Sequence, residues 1–234
     1  MLIFLDVETI PGQTEEARRA ASEGIRPPGN LKKAETIAAW WANEAAAAER
    51  TAWHRQALDG GTQGEIVSIA VCSDTGGEWV RCRAAEHSEA ELLRQFFDEV
   101  ESWLKAEGAK AGDSPSAWPL QAWPVAHNAA FDLGYLWRRA TVHGIPRPSW
   151  LPAPLARSGK EYGCTMTTWA GFRGTVSLDA LCRALGLESP KGDMTGADVF
   201  DAWQAAQYGT IAAYNMADAK AVAAVWQRLQ GWGP

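Results

Sequence analysis

The sequence lacks the patterns that identify several common classes of protein. No CxxC pair occurs among its cysteines, which stand at Cys72, Cys82, Cys164 and Cys182. Its histidines do not fall at zinc-ligand spacing either, so neither a zinc site nor a disulfide framework is indicated. No apolar run approaches the ~18 residues of a membrane span, and the stretch from Met1 to Leu5 lacks the basic start and the length of a signal peptide. We therefore expect a cytoplasmic protein that does not contact a membrane.

A basic excess is also absent. The formal net charge of -6 argues against a protein that coats nucleic acid through bulk electrostatics, because that mode of binding needs a basic surface. The charge leaves open an acidic pocket that metal ions neutralise. With 234 residues, of which 47% are hydrophobic, the chain can bury a full core. We expect a single domain over residues 1–234.

The order of the predicted elements indicates an α/β fold, a mixed sheet flanked by helices. A first strand, Leu2 to Val7, precedes a helical insert over about residues 13–64 that is rich in Ala, Glu and Arg. EIVSIAVCSD and EWVRCRAA predict a hairpin, and WPVAHN predicts a short strand. Ser88 is placed to cap an amphipathic helix, and further helices are predicted in FDLGYLWRRATVHG, SLDALCRALGL, TGADVFDAWQAAQ and TIAAYNMADAKAVAAVWQRLQ. The Pro-rich stretch up to Pro154 is a predicted connector.

The first strand carries two acids within an apolar run, in FLDVETIP. Because side chains alternate between the faces of a strand, Asp6 and Glu8 project to the same side. Two like charges at that spacing repel one another unless a proton, a basic side chain or a divalent cation neutralises them. A cation would need further oxygen ligands from elsewhere in the chain.

Two later segments supply further acids. In AHNAAFDLGYL, Asp132 lies in the first turn of a predicted helix, with Asn128 at the expected N-cap. In YNMADAKAV, Tyr214 and Asp218 are four residues apart and therefore share one face of a helix. Each acid alone is typical of a solvated helix surface. The order of the three segments, DxE, then NxxFD, then YxxxD, is more informative than any one of them.

This ordered set resembles the DEDD superfamily of 3'-to-5' exonucleases, in which four acids from three motifs hold two divalent metal ions on a ribonuclease H-like fold. One branch of that superfamily has His five residues before the final Asp, whereas the other has Tyr four residues before it. Here Ala213 stands at the position of that His and Tyr214 at the position of the Tyr. The chain thus resembles the DEDDy branch, and within it the stand-alone exonucleases related to the family B DNA polymerase proofreading domain.

The resemblance implies a two-metal phosphoryl displacement with Mg2+ or Mn2+. Asp6 would bridge both ions, Glu8 and Asp218 would ligate the ion that activates water, and Asp132 would help to hold the other. Tyr214 would orient the attacking water. A phenol with an ordinary pKa of about 10 is a poor base at neutral pH, so positioning is the role expected of it.

The same resemblance implies a nucleic-acid substrate. Thr9, Asn128 and Phe131 are the expected substrate contacts. We expect cleavage of single-stranded DNA to nucleoside 5'-monophosphates, with three alternatives left open. The same site could act on RNA, since the motifs say little about the 2'-hydroxyl. The chain could be a proofreading subunit that works with a separate replication or repair polymerase. It could also be a non-catalytic binding or scaffold module, although that class typically loses an acid and none is lost here.

Several neighbouring residues have simpler expected roles. His127 is predicted to be a local hydrogen-bonding residue and not a general base, because Tyr214 already fills the water-side position. Lys32, Lys33 and Lys191 are predicted to be solvated rather than bound to phosphate. The GGTQG segment is a predicted flexible connection, since no phosphate-binding glycine pattern accompanies it.

Overall fold

The computed structural model describes residues 1–111, 121–171, 173–190, 192 and 194–231. Within these ranges the chain forms a five-stranded sheet in the order β3-β2-β1-β4-β5. The central strand β1 (Leu2–Ile10) pairs antiparallel with β2 (Glu65–Ser73), which in turn pairs antiparallel with β3 (Glu78–Cys82). On its other side β1 runs parallel to β4 (Trp123–Ala126), and β4 runs parallel to β5 (Gly163–Cys164). The predicted mixed sheet is confirmed.

The segment between β1 and β2 is helical. It contains α1 (Glu15–Gly24), α2 (Ala34–Asn43), α3 (Ala45–His54) and a short 3-10 helix at Arg55–Leu58. Thr14 begins α1 by accepting a hydrogen bond from the Ala17 amide. The helical insertion after the first strand, predicted from its helix-forming composition, is therefore present in the structure.

The remaining helices cover the two faces of the sheet. They are α4 (Glu89–Ala111), α5 (Ala129–Val142), α6 (Thr165–Ala170), α7 (Leu178–Ala184), α8 (Val199–Gln204) and α9 (Tyr208–Leu229). Ser88 and Glu91 form a reciprocal capping pair at the start of α4, as the sequence predicts. Gly144 follows the end of α5 with φ +62, a conformation that glycine adopts without strain.

The two faces of β1 meet different helices. Ile3, Leu5 and Val7 are buried in a core cluster that includes the apolar face of α4 and much of α5. On the opposite face, Phe4 packs in a cluster with Val222 of α9. Strand alternation therefore directs Asp6 and Glu8, which follow Phe4 at intervals of two residues, toward the α9 side of the sheet.

The secondary structure predicted from the sequence lacks part of the observed structure in two places. The strand over Leu2 to Val7 extends to Ile10, with an irregularity between Glu8 and Thr9 where the register with β2 shifts. The patterns predict no element between 155 and 177, whereas β5 and α6 lie there; a two-residue strand is too short to show a period. Across the described part of the chain, no helix is long and apolar enough to cross a membrane.

Candidate active site

The carboxylates of β1 and α9 converge. Asp6, Glu8 and Asp218 each offer an oxygen, and these three oxygens all lie within 4.8 Å of one another. Asp218 reaches the group because it stands one helical turn after Tyr214, on the face of α9 that covers the sheet. Tyr214 forms a side-chain hydrogen bond with Asp218. The strand DxE and the helix YxxxD, which are distant in sequence, thus build one acidic cluster.

Asp132 approaches the same place from α5. Because β1 and β4 are parallel, their carboxyl ends lie at one edge of the sheet, and α5 begins just beyond the end of β4. The Val7 amide donates a hydrogen bond to Asp132 Oδ1 at 3.3 Å, and only 3% of Asp132 is exposed. Its carboxylate is not part of the three-residue group but lines the cavity that this group borders.

A cavity of about 620 Å³ contains all of these groups. All of the site residues predicted from the sequence line this cavity: Asp6, Glu8, Thr9, Asn128, Phe131, Asp132, Tyr214 and Asp218. The helical insertion contributes a wall through Thr51, His54, Arg55, Ala57 and Leu58. The structure therefore brings the nominated residues together, while their individual roles stay predictions.

Burial and mutual repulsion dominate the electrostatics of the cavity. Burial first, and then the charges of Asp132, Glu8 and Asp218, raise the pKa of Asp6 well above its ordinary value. Burial, followed by the charges of Asp218 and Asp132, raises the pKa of Glu8 in the same way. Burial also raises the pKa of Asp132 to about 7, against the lowering effect of its backbone hydrogen bonds. The folded chain therefore holds these acids where ionisation is unfavourable without a counter-charge.

Two residues that the sequence does not nominate hold Asp6 in place. Asn215 Nδ2 donates to Asp6 Oδ2 at 2.8 Å, and Ser68 Oγ on β2 donates to Asn215 Oδ1 at 2.9 Å. Both Asn215 and Ser68 are fully buried. This chain of hydrogen bonds fixes the orientation of the Asp6 carboxylate. The signal in the sequence is a polar residue on the buried face of α9 next to Tyr214, but its partner on β2 could not be deduced from spacing.

His127 is a local hydrogen-bonding residue, as predicted. Its Nε2 lies 2.8 Å from the Val176 carbonyl oxygen, and its Nδ1 lies 2.8 Å from Thr165 Oγ1. Since a carbonyl only accepts, Nε2 carries the proton and Nδ1 of the neutral ring accepts from the hydroxyl. Burial lowers the pKa of His127, which keeps the ring neutral. Neither nitrogen is left to take a proton from a water in the cavity.

The three expected substrate contacts differ in their surroundings. The Thr9 hydroxyl donates to the Ala57 carbonyl oxygen at 2.6 Å, so it joins β1 to the insertion. Phe131 is half-buried, with its ring centroid 5.0 Å from that of Tyr135. Asn128 occupies the N-cap position of α5 and is exposed, but its side chain makes no capping hydrogen bond. The predicted N-cap position of Asn128 is therefore confirmed, without a hydrogen bond from its side chain.

The GGTQG segment is a hydrogen-bonded turn. The Asp59 carboxylate accepts hydrogen bonds from the amides of the four residues 61–64. These amides are therefore occupied within the chain and not available to phosphate, and the flexibility expected of this connection stays a prediction. Lys32 and Lys33 are exposed, as expected of solvated side chains, and neither is among the described residues that line the cavity. Lys191 lies outside the described residues.

A second cavity of about 670 Å³ adjoins the first at Tyr214. Ala213 lines this second cavity and is not among the described residues that line the acidic one, whereas Tyr214 borders both. Tyr214 is thus common to the linings of the two cavities. Ala213, at the position where the His-bearing branch of the DEDD superfamily has its His, therefore lines the second cavity and not the acidic one.

The donor set of the acidic cavity fits a hard divalent cation. Mg2+ and Mn2+ prefer carboxylate oxygens to nitrogen or sulfur ligands. Asp6, Glu8 and Asp218 supply three such oxygens at mutual distances that allow one ion to be shared. Asp132 adds a fourth carboxylate at the same cavity. A divalent ion would remove the repulsion that raises the pKa of Asp6 and Glu8.

Part of the chain is similar to a known protein family. Residues 120–232 match a family described as a predicted 3'-5' exonuclease related to the exonuclease domain of PolB. The matched range contains Asp132, Tyr214 and Asp218, whereas Asp6 and Glu8 precede it. A comparison with curated proteins finds no match.

Among solved structures, the chain is similar to the family B DNA polymerase from the hyperthermophilic archaeon Pyrobaculum calidifontis. The TM-score is 0.54 at 16% sequence identity, and the alignment covers 98% of this chain and 24% of the polymerase chain. The chain therefore spans about a quarter of the length of that polymerase. Identity at this level supports the fold alone. From the family match and the structural similarity together, the chain has a ribonuclease H-like fold related to that of the PolB exonuclease domain.

Proposed function

We propose that this protein is a metal-dependent 3'-to-5' exonuclease that hydrolyses single-stranded DNA to nucleoside 5'-monophosphates by a two-metal mechanism. The observation that carries the proposal is the convergence of the Asp6, Glu8 and Asp218 carboxylates within 4.8 Å, beside buried Asp132. Repulsion between acids destabilises a fold, and a site that keeps it is typical of function. The match of residues 120–232 to a predicted exonuclease family supports the same reaction.

Two divalent ions, Mg2+ or Mn2+, are the proposed cofactors. Asp6, Glu8 and Asp218 would hold one ion, and Asp6 and Asp132 would hold the other. When bound, such ions activate water and neutralise charge on the reacting phosphate. The hydrogen bond from Asn215 fixes one oxygen of Asp6 and leaves the carboxylate oriented toward the cluster. Val7 fixes Asp132 in the same manner through its amide.

Tyr214 is proposed to position the attacking water. Burial, followed by the charges of Glu8 and Asp218, raises the pKa of Tyr214 above its ordinary value, so that the phenol stays protonated. A protonated phenol can donate and accept hydrogen bonds but cannot act as a base. Its hydroxyl is already directed at Asp218, which is one of the proposed ligands. Since both nitrogens of His127 are engaged elsewhere, the phenol is the better placed of the two for this role.

Degradation of end-labelled single strands tests the proposal. DNA and RNA oligomers of the same sequence, each labelled at the 5' end, are incubated with Mg2+, with Mn2+ and with EDTA. We expect a ladder that shortens from the 3' end of DNA with either metal ion, no ladder in EDTA, and nucleoside 5'-monophosphates as products. A 3'-labelled copy of the DNA should lose its label in the first step.

The outcomes separate the candidate functions. A ladder that persists in EDTA would contradict the two-metal mechanism. Faster digestion of RNA than of DNA would assign the chain to the exoribonucleases with the same site. Binding of single strands without any shortening, under every metal condition, would replace the enzyme with a binding module.

A further inference from the structure

The 3-10 helix Arg55–Leu58 of the insertion forms one wall of the acidic cavity. Arg55, Ala57 and Leu58 line the cavity together with the four acids. Leu58 is 74% exposed, and Arg55 is also exposed. A large apolar side chain and a guanidinium, both exposed, thus line the same cavity as the four acids.

Hydrogen bonds hold this wall on the elements that carry the acids. Thr9, which follows Glu8 on β1, donates its hydroxyl to the Ala57 carbonyl oxygen at 2.6 Å. Tyr135, less than one turn after Asp132 on α5, has its hydroxyl 2.9 Å from the same oxygen and 3.1 Å from the Gln56 carbonyl oxygen. The position of the wall relative to the acids is therefore fixed from both sides.

The turn that follows the wall is anchored as well. The Asp59 carboxylate accepts hydrogen bonds from the amides of residues 61–64, and Arg138 Nη1 donates to the Gly60 carbonyl oxygen at 2.9 Å. Gly64 lies so close to this region that an added Cβ would stand 2.2 Å from the Gln56 carbonyl oxygen and 2.3 Å from the Tyr135 hydroxyl oxygen. Backbone packing this close leaves the 3-10 helix little freedom to move independently of the cavity.

The chemistry of the wall fits one end of a single strand. A nucleotide offers an apolar base face, which an exposed leucine can cover, and an anionic phosphate, which a guanidinium can bind. Phe131 and Phe200 also line the cavity, so apolar side chains are available on more than one side. By contrast Leu155, which is 94% exposed, lines a different surface depression away from the acids.

We propose that Arg55 and Leu58 seat the 3'-terminal nucleotide of a single strand, with Leu58 against the terminal base and Arg55 on the adjoining backbone phosphate. This inference rests on the proposed exonuclease function and assigns a role to the insertion. Contact with the base makes Leu58 a determinant of which strand ends are accepted. Contact with the phosphate makes Arg55 a contributor to affinity that does not depend on sequence.

Binding measurements test the phosphate contact without requiring cleavage. Three proteins are titrated with a fluorescent single strand whose terminal linkage is a phosphorothioate: wild type, Arg55→Gln and the control Arg50→Gln. Arg50 is an exposed arginine on α3 that is not among the described residues lining the cavity. The slope of log Kd against log salt concentration should fall by about 0.7 in Arg55→Gln, the value for one phosphate contact with a single strand. The Arg50→Gln slope should equal that of wild type.

Cleavage of an altered strand end tests the base contact. Two oligomers are compared, one ending in an ordinary nucleotide and one ending in an abasic residue. Wild type should prefer the base-bearing end by about fivefold in kcat/KM, as expected when part of an exposed leucine is covered. Leu58→Ala should bring the ratio close to unity, and Leu155→Ala should keep the wild-type ratio. Because Leu58 and Leu155 are both exposed, equal melting temperatures should verify that neither change unfolds the protein.

The outcomes distinguish this inference from the proposed function. If wild type cleaves but Leu58→Ala keeps the preference for the base-bearing end, or Arg55→Gln keeps the salt slope, the seating role is overturned while the exonuclease assignment stands. If wild type cleaves neither oligomer, the proposed function fails. The binding comparison is then made on both strand ends, and a loss of affinity for the base-bearing end alone in Leu58→Ala still supports the contact, whereas equal affinities overturn it.

Discussion

Helix α5 carries residues of two acidic sites in which the pKa of the carboxylates shifts in opposite directions. At its first turn, Asp132 borders the cavity that also holds Asp6 and Glu8. Two turns later, Arg139 pairs with buried Glu89 of α4. Both regions withdraw carboxylates from water, but at Glu89 the partners within the chain outweigh the effect of burial on the pKa, whereas at Asp6 and Asp132 they do not.

Glu89 is surrounded by donors. Arg139 Nη2 lies 2.6 Å from Glu89 Oε2, His143 Nε2 lies 2.7 Å from the same oxygen, and the Ile66 amide donates to Oε1 at 2.7 Å. Burial alone would raise the pKa of Glu89, but these hydrogen bonds and the charge of Arg139 outweigh it, and the pKa is lowered. This site joins α4, α5 and β2, and its charge contributes to the stability of the fold.

At the cavity acids, the effects that raise the pKa outweigh those that lower it. Burial and the neighbouring carboxylates raise the pKa of Asp6 and of Glu8, and the hydrogen bond from Asn215 lowers the pKa of Asp6 only in part. A ligand that brings positive charge would gain from the same repulsion. The contrast teaches that burial does not by itself set the direction of a pKa shift; the partners around the carboxylate do.

The largest expected effect is the loss of cleavage in Asp6→Asn. The amide keeps an acceptor for the hydrogen bond from Asn215 but removes the charge shared by the proposed ions. Cleavage should fall on the order of 1,000-fold or more, as for a residue that acts as part of a catalytic unit. The melting temperature without metal should be unchanged or slightly higher, because repulsion is relieved. Initial rates and thermal melts check both expectations.

Asp98→Asn is the matched control, since Asp98 is an exposed acid on α4. Its rate should equal that of wild type. Near-wild-type turnover in Asp6→Asn would remove Asp6 from the ligand set. A large loss of stability would show instead that Asp6, like Glu89, supports the fold, and the contrast between the two regions would fail.

Tyr214→Phe should have the second largest effect. The ring is kept at the lining of both cavities, but the hydroxyl that bonds to Asp218 is lost. Turnover should fall on the order of 10 to 1,000-fold, the range for a positioning group, with little change in the affinity for metal or substrate. Single-turnover rates and separate binding titrations measure the two quantities.

Tyr214→His serves as the comparison variant and should not restore activity. In the branch of the DEDD superfamily that has His in this motif, the His corresponds to the position of Ala213. A shift of one residue turns a helical side chain by about 100°. Ala213 lines the second cavity here. A normal rate in Tyr214→Phe would leave the metal site in place but withdraw the phenol from the mechanism.

Glu89→Gln should affect stability instead of catalysis. Gln keeps an acceptor for the Ile66 amide but leaves the buried charge of Arg139 without its carboxylate. Breaking one partner of a buried pair costs about 3 kcal/mol or more, which lowers Tm by about 6 to 12 °C in a chain of this size. Exposed Glu86 supplies the control Glu86→Gln, whose Tm should match that of wild type. An unchanged Tm in Glu89→Gln would contradict the structural role.

Local geometry pairs some of the acidic-site residues, and the resemblance of the three segments to the DEDD superfamily, not their spacing, predicted that they form one site. Strand alternation places Asp6 and Glu8 on one face, and helical spacing does the same for Tyr214 and Asp218. The supporting contacts could not be predicted in this way. Ser68 and Asn215 are 147 residues apart, and only the pairing of β2 with β1 beneath α9 brings them together.

The contribution of the insertion was also beyond prediction. Its helical character follows from composition, but which residues face the cavity depends on tertiary contacts such as those of Thr9 and Tyr135 with Ala57. Likewise Glu89 and Arg139 are 50 residues apart on different helices, and neither lies in a recognisable motif. Local sequence patterns thus identify the residue types of the site, whereas the hydrogen bonds that orient these residues depend on how distant parts of the chain pack together.

The smallest expected effect, and the most direct test of the contrast, is a gain of stability in Asp132→Asn without metal. The pKa of Asp132 in the folded chain is about 7, above its ordinary value of 3.8. An acid whose pKa is raised on folding stabilises the protein fully below the lower value, and this contribution is lost as pH rises through the higher one. In EDTA, wild type should therefore lose stability between about pH 4 and pH 8, the window that these two pKa values define.

Asp132→Asn keeps an acceptor for the Val7 amide and cannot ionise, so it should escape this loss. At about pH 8 its Tm should exceed that of wild type by roughly 2 to 8 °C, corresponding to ~1 to 2 kcal/mol in a chain of this size. At about pH 5 the difference should be smaller, because wild-type Asp132 is still protonated there. Glu89 titrates in the opposite sense, since its lowered pKa means that its contribution is lost as pH falls. A Tm difference that does not grow with pH would mean that the Asp132 carboxylate is as well compensated as that of Glu89, and the distinction between the two buried sites on α5 would no longer hold.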